Sequence, residues 1–187
     1  MHRAKGFGVR VTAADHWIKP AENWARLRAA GLADAVMPVH AEAHALPFAD
    51  GCFDAIVSVD AYHYFGTDDL YLAYVTRLLR PGGRLGIVVP DLEAELEGSA
   101  PPEHLRAHWD RDFNTFHSPA WRRRPWERGG GVEVEAADAV PDGWEDSLRW
   151  IEACVADGVV RARGDLDLLK ADRGRTLCVA RAVARAK

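Results

Sequence analysis

Two carboxylates follow predicted strands in the N-terminal part of the chain. Asp15 follows the β-prone run 9–14, and Glu42 follows the short apolar run 35–40. A carboxylate can accept hydrogen bonds from both hydroxyls of a ribose, and the Glu42 side chain can accept one from an adenine amino group. Asp15 equally suits a turn or helix cap, and Glu42 equally suits a solvated loop, so neither residue alone predicts a nucleoside site.

A third polar group follows the strongly β-branched run 53–59. Asp60, Tyr62, His63 and Tyr64 come directly after it. Ligands of open α/β sheets bind beyond the carboxyl ends of the strands, so titratable and aromatic side chains are expected at that rim. His63 is the best candidate for a general base because imidazole titrates near neutrality. Buried structural aromatics are the alternative interpretation for the two tyrosines.

The other groups of polar residues give weaker indications of a function. His104 and His108 are four residues apart on a predicted helix, but no third metal ligand accompanies them, so no metal site is predicted. The basic run 122–124 is interpreted as a solvated helix face or as an anchor for an acidic substrate. The nucleophile motif Gly-x-Ser-x-Gly does not occur.

Alternating strands and helices position these residues. They predict an α/β fold, a mainly parallel sheet with helices on both faces, in which runs 9–14, 53–59 and 85–89 share one sheet. A helix is expected over 68–79, and Pro90 is expected to end the following strand. Near the C-terminus, Asp142 and Glu145 form a predicted capping pair, and run 176–183 is predicted to lie antiparallel to run 132–136.

The length and charge of the chain limit the domain organisation and the partners that can be expected. The 187 residues are 48% hydrophobic and suit a single domain with a cofactor-side half at 1–90, a small helical cap at 91–131 and C-terminal strands and helices at 132–187. A net charge of −4 gives no general attraction for nucleic acid or anionic membranes. Three scattered cysteines and the absence of an apolar run of membrane-spanning length predict a soluble cytoplasmic protein.

Three short pieces carry a resemblance to a known family. Ala-Glu-Ala-His-Ala-Leu-Pro-Phe at 41–48, Phe-Asp-Ala-Ile-Val at 53–57 and Leu-Leu-Arg-Pro-Gly-Gly-Arg-Leu at 78–85 occur in this order. Together they resemble the class I S-adenosylmethionine (SAM) dependent methyltransferases, in particular the small-molecule group called type 11. The resemblance implies a Rossmann-like fold, SAM as cofactor and a small-molecule methyl acceptor.

The resemblance also implies roles for individual residues. The cofactor contacts that it implies are Asp15 at the ribose and Trp17, Ile18, Glu42 and Ala43 around the adenine; Asp60 is added as an expected contact because it follows the next strand at the same rim. Many members have aspartate at the adenine position, so Glu42 is a departure. In this family the cap region shapes the substrate pocket, so His117 and Trp121 are expected near substrate. From their position at the rim after run 53–59, Tyr62 and Tyr64 are expected to orient the acceptor, with His63 as the catalytic base.

A larger departure concerns the start of the domain. The family begins with a strand and a glycine-rich loop that holds the methionine part of SAM, whereas Gly6 and Gly8 precede a strand instead of following one. The chain is therefore interpreted as N-terminally truncated, lacking the family's first and central strand, with impaired SAM binding. Pairing with a second copy, as a homodimer, is compatible with the strand edges that this exposes.

Two alternatives remain open beside the methyltransferase. The first is a degenerate, non-catalytic methyltransferase fold that serves as a binding or dimerisation module. The second is an NAD(P)-dependent oxidoreductase, since an acid after a second strand also binds the ribose of NAD. The oxidoreductase leaves the Leu-Pro-Phe and Arg-Pro-Gly-Gly pieces unexplained.

Overall fold

The computed structural model describes residues 6–67, 70–98 and 100–187. The chain divides into two compact units, one up to Ala49 and one from Asp50 to Lys187.

The first unit is a strand–helix–strand motif. Strand β1 (Val11–Asp15) lies parallel to β2 (Val36–His40), and helix α1 (Pro20–Ala29) connects them. Pro20 suits the first helical turn, where its missing N–H would have no partner, and Gly31 ends the helix with a φ of +66°. The buried core of this unit consists of Leu27, Leu32 and Val36.

The second unit contains a mixed four-stranded sheet. Its strands are β3 (Phe53–Val59), β4 (Leu79–Leu92), β5 (Val132–Ala139) and β6 (Leu177–Ala186), in the spatial order β3-β4-β6-β5. β3 is parallel to β4, whereas β6 is antiparallel to both β4 and β5. The predicted antiparallel pairing of run 176–183 with run 132–136 is therefore confirmed.

Four helices accompany this sheet among the described residues. They are α2 (Tyr71–Arg77), α3 (Pro119–Gly129), α4 (Gly143–Ala156) and α5 (Ala162–Asp172). Short 3-10 helices at Glu103–Leu105 and Arg111–Thr115 occupy the segment predicted as a cap. Residues of that segment, including Leu105 and Phe116, are buried in one apolar cluster with residues of α5, β4 and β6. The cap segment thus shares the core of its unit.

The predicted fold class, an α/β Rossmann-like arrangement, is confirmed, but the prediction of a single sheet for runs 9–14, 53–59 and 85–89 is wrong. Among the described strands β1 pairs only with β2, and β3 lies at the edge of its sheet beside β4. Sheet hydrogen bonding needs strands about 4.8 Å apart. No described strand supplies the further strand that the family resemblance places beside both β1 and β3.

Three local predictions also need correction. Helix α2 begins at Tyr71, and Asp68, its predicted first residue, lies outside the described residues. β4 continues through Pro90 to Leu92, because its pairing with β3 ends at Val88 and proline's missing N–H is tolerated on a free edge. Asp142 precedes α4 with a φ of +56° and makes no side-chain cap bond, so the predicted capping pair is not formed.

Candidate functional site

Asp15 is fixed at the carboxyl end of β1 by a tight turn. Its Oδ1 accepts hydrogen bonds from the backbone amides of Trp17 (2.7 Å) and Ile18 (2.9 Å). Because Asp15 pairs with His40 in the register of β1 and β2, both strands end at the same edge of their sheet. The structural interpretation of Asp15 as a turn residue is therefore realised, and the turn holds its carboxylate in one place at that edge.

An exposed aromatic group lies beside this carboxylate. The side chain of Trp17 is 88% exposed, and its indole makes an edge contact with the His16 ring at a centroid distance of 5.1 Å. The His40 ring lies 6.2 Å from the His16 ring and is nearly parallel to it, and Nε2 of His40 is 2.9 Å from the His16 carbonyl oxygen. A free indole face of this kind is suited to stacking on a flat heterocycle.

Glu42 follows β2 and interacts with a histidine that the sequence analysis did not single out. Its Oε1 lies 2.9 Å from Nδ1 of His44, and Glu42 directly precedes the short 3-10 helix Ala43–Ala45 that contains this histidine. The hydrogen bond with His44 is the main cause that lowers the pKa of Glu42. Glu42 thus remains an acceptor over a wider pH range, but part of its hydrogen-bonding capacity is used by His44.

In the second unit, Asp60 directly follows β3 and has an unusual backbone conformation. Its φ is +53°, and its amide donates to the Val88 carbonyl at 2.8 Å. Non-glycine residues seldom occupy the left-handed region, although aspartate tolerates it better than most. Burial and the negative charge of Asp165 on α5 raise the pKa of Asp60. A hydrogen-bond donor or a cation close to the Asp60 carboxylate would therefore stabilise its charged form.

The two tyrosines of this segment have different environments. Tyr62 is 1% exposed and makes edge contacts with Phe65, Tyr71 and Trp126, and burial raises its pKa to about 12. Its ring belongs to the core, and its assignment to the substrate side stays a prediction. Tyr64 is 59% exposed and is available at the surface.

His63 is enclosed between its neighbours. It is 2% exposed, with its ring centroid 4.0 Å from that of Tyr64 and 5.5 Å from that of Phe116. Burial, and after it the positive charge of Arg122, lower the pKa of His63 to about 4. The imidazole is therefore neutral at physiological pH, and its Nδ1 has no hydrogen-bond partner among the described residues.

A buried ion pair that the sequence analysis missed lies at the end of β4. Asp91 is fully buried and Arg122 is 2% exposed. Nη2 of Arg122 donates to Oδ1 of Asp91 at 2.9 Å, and Nε donates to Oδ2. The solvated-face interpretation is therefore wrong for Arg122. The available signal was an acidic residue directly after the apolar strand run, but nothing in the sequence indicated its partner.

The two residues predicted near substrate in the cap segment are brought together. The rings of His117 and Trp121 stack with a centroid distance of 3.6 Å and an interplanar angle of 8°. Nδ1 of His117 lies 3.1 Å from Oε2 of Glu95, and the His117 amide donates to Asp91 at 2.6 Å. Ser118, the N-cap of α3, fixes Trp121 by accepting its amide at 3.2 Å. The stacked pair thus sits directly beside the ion pair.

No group of three or more His, Cys, Asp or Glu side chains in the described ranges could hold a metal ion. His104 faces Asp172 instead, with 3.5 Å between Nε2 and Oδ1. In the same ranges no helix has the length and apolar character needed to cross a membrane.

Comparison with known proteins gives consistent results. The family described as "Methyltransferase domain" matches residues 2–87. The chain is 38% identical over 83 residues to phthiotriol/phenolphthiotriol dimycocerosates methyltransferase 1 of Mycobacterium ulcerans, covering 41% of this chain and 29% of that protein. The chain thus spans less than a third of the length of this curated relative.

Solved structures resemble nearly the whole chain. Geranyl diphosphate C-methyltransferase from Streptomyces coelicolor A3(2), in complex with Mg²⁺, geranyl diphosphate and S-adenosyl-L-homocysteine, matches with a TM-score of 0.71 and 16% identity over 98% of this chain and 66% of that chain. The (4+2)-cyclase SpnF matches with a TM-score of 0.72 and 20% identity over 98% of this chain and 69% of that chain.

These two structures show the fold and leave the reaction open, since one similar protein is named a methyltransferase and the other a cyclase. The family match adds sequence evidence, because the matched residues include Asp15, the last residue of β1, and Glu42, two residues after β2. Residues 2–87 are therefore similar in sequence to the methyltransferase domain family, and nearly the whole chain shares its fold with these two solved structures.

Proposed function

We propose that the chain is the core of a SAM-dependent methyltransferase that acts on a small molecule. The observation that carries the proposal is the match of residues 2–87 to the methyltransferase domain, with a carboxylate fixed at the end of β1 inside the matched region. The curated relative named above is a methyltransferase, which supports the same reaction class. Neither a degenerate fold nor an NAD(P)-dependent oxidoreductase has a comparable observation in its favour.

The described residues at the end of β1 fit the adenosine part of SAM. The turn presents the Asp15 carboxylate in a fixed position, where it can accept hydrogen bonds from ribose hydroxyls, and the exposed indole of Trp17 can stack on adenine. The further proposed cofactor contacts of this unit are Ile18, Glu42 and Ala43. SAM supplies an activated methyl group, so the protein mainly has to align the acceptor with it.

Acceptor binding is proposed for the second unit. His63 is neutral and can take a proton from a hydroxyl or amine acceptor. Exposed Tyr64 and the stacked pair of His117 and Trp121 are proposed to orient that acceptor through aromatic contacts and hydrogen bonds. The proposed acceptor is a small molecule whose nucleophilic hydroxyl or amine group has a proton to lose.

Replacing Asp15 by alanine is expected to weaken S-adenosylhomocysteine binding by about 1.5–3 kcal/mol, the usual contribution of hydrogen bonds to a charged group. Isothermal titration of the Asp15→Ala variant and the unmodified chain measures this difference. Asp34→Ala is the matched control, because Asp34 is an exposed carboxylate just before β2, at the opposite end of that strand. Equal affinities of Asp15→Ala and the unmodified chain would exclude Asp15 as the ribose ligand.

We further propose that these 187 residues alone bind SAM weakly. In the described ranges no glycine-rich loop follows a strand, and β1 and β3 each have one unpaired edge. A form that begins with an added strand and glycine-rich loop is expected to bind SAM more tightly and to melt at a higher temperature. Concentration-dependent dimerisation of the shorter form is expected if two copies pair through these edges.

The comparison uses calorimetric SAM titration and thermal melting of both forms at equal concentration. A single sedimentation series of the shorter form reports its association. Tight SAM binding with turnover by the 187 residues alone would contradict the proposal, because the chain would then hold the methionine end of SAM without the added loop.

A further inference from the structure

Three contacts hold His117 in place beside the start of helix α3. Its Nδ1 lies 3.1 Å from Oε2 of Glu95, and its ring stacks on the indole of Trp121 at a centroid distance of 3.6 Å. Its backbone amide donates to the buried Asp91 carboxylate at 2.6 Å. The imidazole is only partly exposed. Packing and hydrogen bonds thus fix the orientation of the ring, and with it the direction of its second nitrogen, Nε2.

The carboxylate of Glu95 determines which nitrogen of His117 carries the proton. Its other oxygen, Oε1, accepts the backbone amide of Ser118 at 2.5 Å. Burial raises the pKa of Glu95, but the hydrogen bonds from Ser118 and His117 outweigh burial and hold that pKa below its ordinary value. An ionised carboxylate can only accept, so Nδ1 of His117 donates to it. In the neutral imidazole Nε2 therefore has the free lone pair, and it has no hydrogen-bond partner in the described part of the chain.

Ring contacts place this histidine in the part of the unit that is proposed to bind the acceptor. The ring centroid of His63 lies 4.0 Å from that of Tyr64 and 5.5 Å from that of Phe116. Phe116 directly precedes His117 in the chain. The proposed base and His117 are therefore linked through a single phenylalanine.

We propose that Glu95 is a positioning residue, which keeps the proton of neutral His117 on Nδ1 so that Nε2 accepts a hydrogen bond from a hydroxyl or amine group of the methyl acceptor. That the bound molecule is a methyl acceptor rests on the proposed function. A bond from Ser118 alone would tie Glu95 to the start of α3, whereas the bond from Nδ1 also fixes the tautomer of the ring. A fixed lone pair selects molecules with a polar hydrogen and discriminates against analogues that lack one.

Glu95→Gln separates the two bonds of the carboxylate. An amide has one oxygen and the Ser118 amide can only donate, so the oxygen is expected to stay with Ser118 and the side-chain nitrogen to face His117. Nδ1 must then accept, and the proton of the neutral imidazole moves to Nε2. Nitrogen NMR at alkaline pH, where the imidazole is neutral, is expected to show Nδ1–H in the unmodified chain and Nε2–H in Glu95→Gln. His117→Asn assigns the resonances.

Indole and N-methylindole are the binding probes, because indole has a single N–H donor and no acceptor, and N-methylindole lacks the donor. Indole is expected to shift the Nε2 resonance of the unmodified chain and to bind Glu95→Gln about 3–10-fold more weakly, the usual contribution of one hydrogen bond. N-methylindole is expected to bind both forms equally. If Glu95→Gln folds poorly, His117→Asn keeps a donor to Glu95 but has no atom at the place of Nε2, and it should lose the preference for indole.

Glu97→Gln is the matched control. Glu97 is an exposed carboxylate two residues further along the same segment, so its replacement is expected to change neither the tautomer nor the affinity for indole. A folded Glu95→Gln variant that keeps Nδ1–H, or that binds indole as tightly as the unmodified chain, would overturn the proposal. Neither measurement needs SAM or turnover, so both remain decisive even if the chain shows no methyl transfer and the proposed function fails.

Discussion

Replacing Arg122 alone by leucine is expected to lower the free energy of unfolding by about 3–5 kcal/mol, because the fully buried Asp91 carboxylate would lose its counter-charge. Its other bond, from the His117 amide, cannot neutralise it. Such a loss is a large part of the total stability of a domain, which is about 5–15 kcal/mol. Urea denaturation of the Arg122→Leu variant and the unmodified chain measures the difference.

The same measurement on the double variant Asp91→Leu/Arg122→Met separates the penalty of an unpaired charge from the value of the pair. The double variant is expected to recover most of the loss, since two well-packed apolar side chains can replace a buried pair at little cost. Arg123→Leu is the surface control, with an expected change of at most about 1 kcal/mol. A loss below about 1 kcal/mol for Arg122→Leu would show that water or another group compensates Asp91.

Features that depend on neighbouring residues were predictable from the sequence. β3 has the predicted bounds, Phe53–Val59, because β-branched residues fill the strand and polar residues follow it. Helix α1 has the expected proline at its start and glycine after its end. In both cases the local preference and the packing favour the same structure.

Features that depend on distant residues were not predictable in this way. Asp91 and Arg122 are separated by 31 positions, and their pairing depends on the path of the cap segment between them. The run 122–124 suggests a solvated face because a sequence shows charge but not burial. Similarly, Pro90 looks like a strand end until the register shows that β3 has already stopped pairing with β4.

In the candidate site, too, the features that depend on neighbouring residues were predictable and those that depend on distant residues were not. Asp15 could be placed at a strand end from the residues that precede it, and the structure has it there. The environments of residues 62–64 could not be predicted in this way, because successive side chains of a short 3-10 helix point in different directions. Tyr62 consequently enters the core, Tyr64 reaches the surface, and His63 faces Phe116, which is 53 positions away in the sequence.

If His63 is the base of the proposed methyltransferase, replacing it by glutamine is expected to reduce kcat about 10²–10⁴-fold, the usual contribution of a positioned general base. Glutamine fills a similar space but cannot accept a proton at neutral pH. Steady-state rates of the form with the added strand and glycine-rich loop, with and without His63→Gln, measure the effect once an acceptor is known. His108→Gln replaces an exposed histidine and serves as the control.

The lowered pKa of His63 also determines the pH range in which activity and stability are expected to decrease. A base with a pKa of about 4 stays competent until the pH approaches that value, so the acid limb of kcat/KM is expected near pH 4 and not near 6.5. Between those two values the unfolded chain binds a proton at His63 and the folded chain does not, so stability decreases as the pH falls from 6.5 towards 4. His63→Gln should remove this part of the stability loss, which melting curves at several pH values would show. An acid limb near 6.5 in an enzyme whose His63 titrates near 4 would assign the base to another residue, since only a group that titrates with the rate can be the proton acceptor.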